Sequence, residues 1–159
     1  MMKENVYKLA RLAAAKRNPE LSSAEKAYPY LYISREKLLM IEQNDPGKRR
    51  AVPNPDEVVT MAEVYEAPEL CDHYCTHHCP IGQGKKPLMH NSLSEISAGL
   101  MSALHFLDNA SDQIHRILGD SKVSDEEKKE FAQSLKILQD IAYSAQSLEL
   151  WAQKNGLEE

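Results

Sequence analysis

The sequence predicts an all-α protein, and three observations carry that expectation. Apolar residues make up 42% of the 159 residues but aromatics only 6%, so a core must be built from Leu, Ile and Ala, which suits helix packing better than a sandwich. Strand signals are scarce, because no run alternates β-branched and polar residues between turn dipeptides. Apolar residues instead recur at spacings of three and four along most of the chain.

Val6, Leu9, Ala10 and Ala13 fall at helical spacing, with Arg11, Lys16 and Arg17 elsewhere, and predict a first amphipathic helix ending near Asn18-Pro19. A second starts at Ser22-Ser23, either of which can cap it, and Pro29 limits its length. A third opens at Ser34 and runs through Glu42, with Leu38 and Ile41 on one face, and stops before the turn signal Asn44-Asp45-Pro46-Gly47. Pro53-Asn54-Pro55-Asp56 then leads into a helix whose stripe is Val58, Met61, Ala62 and Tyr65. Pro68 can open a short helix that ends at Pro80, and residues 82–87 read as a linker.

The last third has a different pattern. Leu93, Ile96, Leu100, Ala103, Leu107, Ala110, Ile114 and Ile117 step by three and four, a coiled-coil-like seam of nearly four heptads that Gly119-Asp120 breaks. Ser124 with Glu127 is a capping box for a final helix. Its stripe is Phe131, Leu135, Leu138, Ile141, Ala145, Leu148 and Ala152, and Asn155-Gly156 closes it. The short connection predicts a long antiparallel helical hairpin, each arm roughly 40–48 Å at 1.5 Å per residue. Ile137, Leu150 and Trp151 lie off that stripe and need cover. A homodimer in which two hairpins pair through these C-terminal helices supplies it; the other reading packs the hairpin on its own N-terminal domain.

Charge divides the chain. Residues 1–50 hold 11 Lys and Arg against 6 Asp and Glu, and the remaining 109 residues hold 8 against 18. A basic head on an acidic body suits contact with nucleic acid through the head. No stretch of 18 apolar residues exists and the N-terminus has no apolar signal core, so a cytoplasmic protein without a membrane span is expected, with its three cysteines reduced. A phosphate loop, Gly-x-Ser-x-Gly and His-Glu-x-x-His are all missing, which argues against an enzyme.

Residues 33–42, Gly47-Lys48-Arg49, Pro53 and Met61-Ala62-Glu63 together resemble the XRE-type, lambda-repressor-like helix-turn-helix family over about residues 5–70. The Cys-rich segment ending Cys79-Pro80-Ile81-Gly82 and the ending Leu148-Glu149-Leu150-Trp151-Ala152-Gln153-Lys154 extend the resemblance to a set of bacterial XRE-type regulators. It implies a helix-turn-helix domain at 1–70, a Cys/His-rich short helix and linker at 71–90, and the hairpin at 91–156. It also implies a sequence-specific, dimeric transcriptional regulator whose partner is double-stranded DNA. In that family the recognition helix presents its N-terminal turn to base edges in the major groove. The matching positions are Arg35, suited to a guanine, Glu36, suited to a cytosine, and Met40. Ser22, Ser23, Ser34, Lys37, Lys48, Arg49 and Arg50 match positions that hold phosphates and set register. The chain departs from the family at residues 26–32, one residue longer and without the usual turn Gly, and at Met40, where a polar reader is common. A degenerate helix-turn-helix that binds protein is the alternative.

Cys71-Asp72-His73-Tyr74-Cys75-Thr76-His77-His78-Cys79-Pro80 is the most unusual stretch. On a helix Cys71, Cys75 and Cys79 share a face with His78 beside them, while His73 and His77 point away. Three readings stay open: small apolar residues packing the short helix on the head, a zinc or iron–sulfur site at Cys71, Cys75, His78 and Cys79, and an oxidant sensor.

Overall fold

A computed structural model describes residues 5–45, 47–90, 92–117 and 123–157. Among these residues all regular structure is helical, eight α-helices and two 3-10 turns with no strand, and no helix is long and apolar enough to cross a membrane. They divide between Pro87 and Leu88 into two compact units.

The first unit opens with α1 (Val6–Ala14), capped by the Asn5 side chain, which accepts from the Lys8 N–H. Its buried face is Tyr7, Arg11 and Ala14, at i, i+4 and i+7, while Leu9, Leu12 and Ala13 are exposed. This corrects the expected stripe at Leu9 and Ala13, while its other members, Val6 and Ala10, pack partly buried against the core. A guanidinium occupies the core register because Glu42 neutralises it there. After a 3-10 turn at Pro19–Leu21 comes α2 (Ala24–Ala27), a single turn. Pro29 ends it: without an N–H, and with its ring against the carbonyl four residues back, it forces a 3-10 turn over Tyr28–Leu31.

Two longer helices follow this stretch: α3 (Arg35–Ile41) and α4 (Pro55–Tyr65). The N-terminus of α4 carries the reciprocal Asn54–Glu57 capping box with Pro55 in the first turn. Val58, Met61, Ala62 and Tyr65 are all buried, the stripe expected for it. They close over Leu21, Leu31, Leu38 and Leu70 to form one core.

The first unit ends with α5 (Glu69–His77), three residues short of the expected end at Pro80. The Cys79 N–H turns back to the Tyr74 carbonyl, and the Gly82 and Gln83 N–H groups both bond the Cys79 carbonyl. This loop lies against the helix so closely that a Cβ at Gly82 would fall 1.9 Å from the Cys75 carbonyl oxygen. Only glycine fits there.

The second unit is α6 (Leu93–His105), α7 (Leu107–Ile117) and α8 (Lys128–Lys154), packed together. Phe106 interrupts the expected continuous seam, but Ala110 resumes it by bonding the Phe106 carbonyl. Ile96, Ala103, Ala110 and Ile117, seven apart, are all buried. The break assigned to Gly119-Asp120 lies outside the described residues. Gly99 lies opposite Ser144, Gln113 bonds Ser134, and Arg116 faces Glu130. Partners on α8 therefore fall as positions on α6 and α7 rise, the order of an antiparallel pairing.

The α8 face turned inward differs from the expected one. Ser134, Ser144, Ser147 and Leu150 are buried, with Ile137 and Ile141 half-buried, while Leu135, Leu138, Ala145 and Leu148 are exposed. The bulk in this pairing comes from Ile96, Leu100, Leu107 and Ile117, and small serines let the backbone of α8 approach. Their hydroxyls are used: the Ser134 hydroxyl donates to Gln113 Oε1 at 2.6 Å, and Ser147 Oγ accepts the Met89 N–H.

Candidate nucleic-acid interface

The helix α3 is held from behind. Leu38 and Ile41 are buried in the core, and Asn5 Nδ2 donates to the Ile41 carbonyl at 2.7 Å. At its C-cap Glu42 accepts from Arg11 twice, at 2.6 Å from Nε and 2.7 Å from Nη2, and Arg11 Nη1 donates to the Leu21 carbonyl. Both side chains are about 5% exposed. One ion pair thus ties α1, α3 and the turn before α2. Sequence reasoning missed it, although an Arg at the i+4 position from a core Tyr was a usable signal. A desolvated pair of this kind is costly to break, because removing one partner strands the other charge in the core.

The other face of α3 is open. Ser34 caps the helix by accepting the Lys37 N–H on Oγ, and Ser34, Arg35, Glu36 and Leu39 are exposed while Met40 is half-buried. Arg35 donates from Nε and Nη2 to Glu25 Oε1 at 3.1 and 2.6 Å, an exposed pair from α2 to α3. That hydrogen bond holds the Glu25 carboxyl below its ordinary value. Lys37, expected at a phosphate, instead places Nζ on Glu57 Oε1, where the carboxylate also serves the α4 capping box. In this structure it links α3 to α4.

The basic loop joins the same helix. The Ala51 N–H bonds the Met40 carbonyl, which brings residues 48–50 back beside α3. Asp45 shapes the turn by accepting the Gly47 and Lys48 N–H groups, and Arg50 Nη2 donates to the Asn44 carbonyl. Lys48, Arg49 and Arg50 are exposed. Ser22 is exposed, and Ser23 stands half-buried at the start of α2 without a side-chain capping bond. The turn before α3 carries Tyr32 at φ 54°, ψ 28° and 91% exposed. A left-handed backbone costs an L-residue roughly 1–2 kcal/mol.

Among the described residues no group of three or more His, Cys, Asp or Glu side chains is placed to hold a metal ion. Cys71, Cys75, His78 and Cys79, the residues of the zinc or iron–sulfur reading, do not form such a group. Cys71 packs half-buried against the core, Cys75 is exposed and Cys79 half-buried; all three are free. Burial, then the neighbouring Cys75 and Glu63, pushes the Cys71 thiol above its ordinary value. On the other side of α5, His73 stacks on His77 with centroids 4.2 Å apart and meets the edge of Tyr7 at 5.9 Å.

No protein-family model matches the chain, and no curated protein or solved structure does so either.

Proposed function

We propose that the first unit is a lambda-repressor-like helix-turn-helix domain that binds double-stranded DNA sequence-specifically to regulate transcription, and that the chain acts as a homodimer through its C-terminal helices. The observation that carries this reading is the two-sidedness of α3. Its back is fixed by Leu38, Ile41 and the Arg11–Glu42 pair, while its N-terminal turn stands open beside a basic loop tied to the Met40 carbonyl.

In the major groove Arg35 exchanges Glu25 for a guanine. The exchange is favourable, since an exposed ion pair contributes about 0–1 kcal/mol and a bidentate base contact about 1–3 kcal/mol. Glu36 accepts from a cytosine amino group. Lys48, Arg49 and Arg50 neutralise phosphates, Ser22 and Ser23 add backbone hydrogen bonds, and Lys37 acts by holding α3 on α4. A protein partner on the same surface is the second reading, favoured by the exposed Tyr30, Tyr32 and Leu39 around the N-terminal end of α3.

The test is a salt series of DNA affinity with the wild type, the triple variant Lys48→Ala/Arg49→Ala/Arg50→Ala, and Arg35→Ala. The triple variant should flatten the salt slope by about one per lost phosphate contact, and Arg35→Ala should relax preference at one base pair. An unchanged slope together with unchanged preference would transfer the surface to a protein partner.

A further inference from the structure

The turn between α2 and α3 carries a side chain that the fold does not use. Tyr32 is 91% exposed, and its side chain takes part in no hydrogen bond or ring contact among the described residues. Its backbone is left-handed at φ 54°, a conformation that glycine adopts without penalty and tyrosine does not. Tyr30 and Leu39 are less than half exposed, so Tyr32 stands clear of them. Backbone strain of this kind clusters at ligand contacts.

The position of Tyr32 determines what it meets. It lies two residues before the Ser34 cap and three before Arg35. A recognition helix sets its N-terminal turn against base edges, so the chain just before it climbs out of the groove past the sugar-phosphate rim. Two residues of chain span at most about 7 Å, and the major groove is about 8.5 Å deep, which places Tyr32 at that rim. The cations lie elsewhere. The loop of Lys48, Arg49 and Arg50 joins α3 toward its C-terminal end, through the Met40 carbonyl, and Lys37 is tied to Glu57. Phosphate contacts fix how a helix sits in the groove, and one at the cap end balances those of the loop.

We infer that Tyr32 is a positioning residue of the DNA interface, its hydroxyl donating to a phosphate oxygen at the groove edge next to the base pair that Arg35 reads. The inference rests on the DNA-binding reading above and adds a contact to it. The hydroxyl is neutral, so the contact releases no counterion and carries no base preference.

Affinities of the full chain for a random-sequence duplex and for the duplex enriched by selection, each over a salt series, test it. Tyr32→Phe keeps the ring and the backbone and removes only the donor. Tyr32→Gly keeps the backbone and removes the ring. Both should bind both duplexes about tenfold more weakly for each half-site occupied, the scale of a hydrogen bond to a charged group. Salt slope, base preference and the thermal unfolding transition of Tyr32→Phe should all match the wild type. Wild-type affinity in Tyr32→Phe overturns the phosphate contact and leaves the DNA-binding reading standing. A changed base preference in Tyr32→Phe also overturns it, because the residue would then read bases. A wild type that binds neither duplex overturns both and gives the ring to a protein partner.

Discussion

In the first unit Leu21, Leu31, Leu38, Met61, Tyr65 and Leu70 are fully buried, and the charged pair Arg11–Glu42 in the core is neutralised by a two-pronged contact. In the second, the fully buried positions of the longest helix include Ser134 and Ser147, while Leu135, Leu138 and Leu148 stay in reach of water. Both units leave large apolar side chains exposed, among them Leu9, Leu12, Tyr32 and Ile81 in the first and Met101, Leu135 and Leu138 in the second. The difference is inside, where the first unit buries large apolar side chains and α8 turns serines toward its partners. Apolar periodicity alone does not distinguish these cases, since both faces of α8 recur at helical spacing. What separates them is the bulk of the facing helix.

The largest effect should come from breaking the buried pair. Arg11→Ala leaves Glu42 charged and unpaired in the core and should cost about 3–5 kcal/mol in chemical denaturation. Arg11→Met with Glu42→Leu should restore most of it; failure to do so would make the pair's geometry, not its charge balance, the essential feature.

Next comes a pair of equal truncations in the two units. Leu38→Ala should destabilise the first unit by about 2–5 kcal/mol, independent of protein concentration. Leu138→Ala should act on the second unit mainly through association, so its effect on stability should be absent at concentrations below the dimer dissociation constant and grow as concentration rises through it. Equal, concentration-independent losses would erase the contrast between the units.

Tyr32→Gly should stabilise the first unit, by about 1 kcal/mol at most. It relieves the left-handed backbone at the cost of extra unfolded-state entropy, and it removes a side chain that is 91% exposed. A destabilised variant would show that the phenol ring makes a contact that matters.

The smallest effect concerns the thiols. The raised Cys71 value means less thiolate at a given pH, so alkylation should reach exposed Cys75 first and Cys71 more slowly. Because the folded chain holds the Cys71 proton more tightly, its stabilising contribution is complete below the ordinary thiol value. It is lost as pH rises past 9.0 toward the higher folded value. Mass spectrometry of partly alkylated protein reads the order of reaction; Cys71 modified first would contradict its burial.

Much of the fold was legible where one residue type decides it. Pro29 shortened α2, Asn54 and Pro55 opened α4, and the α6–α7 seam was readable because its buried positions are apolar. The inward faces of α1 and α8 were not, because Arg11 and three serines occupy core register and periodicity scores them as surface. At the candidate interface, Ser34 as a cap and the exposure of Arg35 and Glu36 were readable from local spacing. The links Lys37–Glu57 and Arg35–Glu25 join residues 20 and 10 apart, and nothing in a single sequence pairs them.

The most direct test of the central claim is selection from random double-stranded DNA by the purified full chain at several salt concentrations. One enriched sequence with two related half-sites about 34 Å apart, one turn of B-DNA, is expected, its enrichment lost with Arg35→Ala. No enriched sequence at any salt, with only weak and uniform binding, would contradict DNA reading by α3.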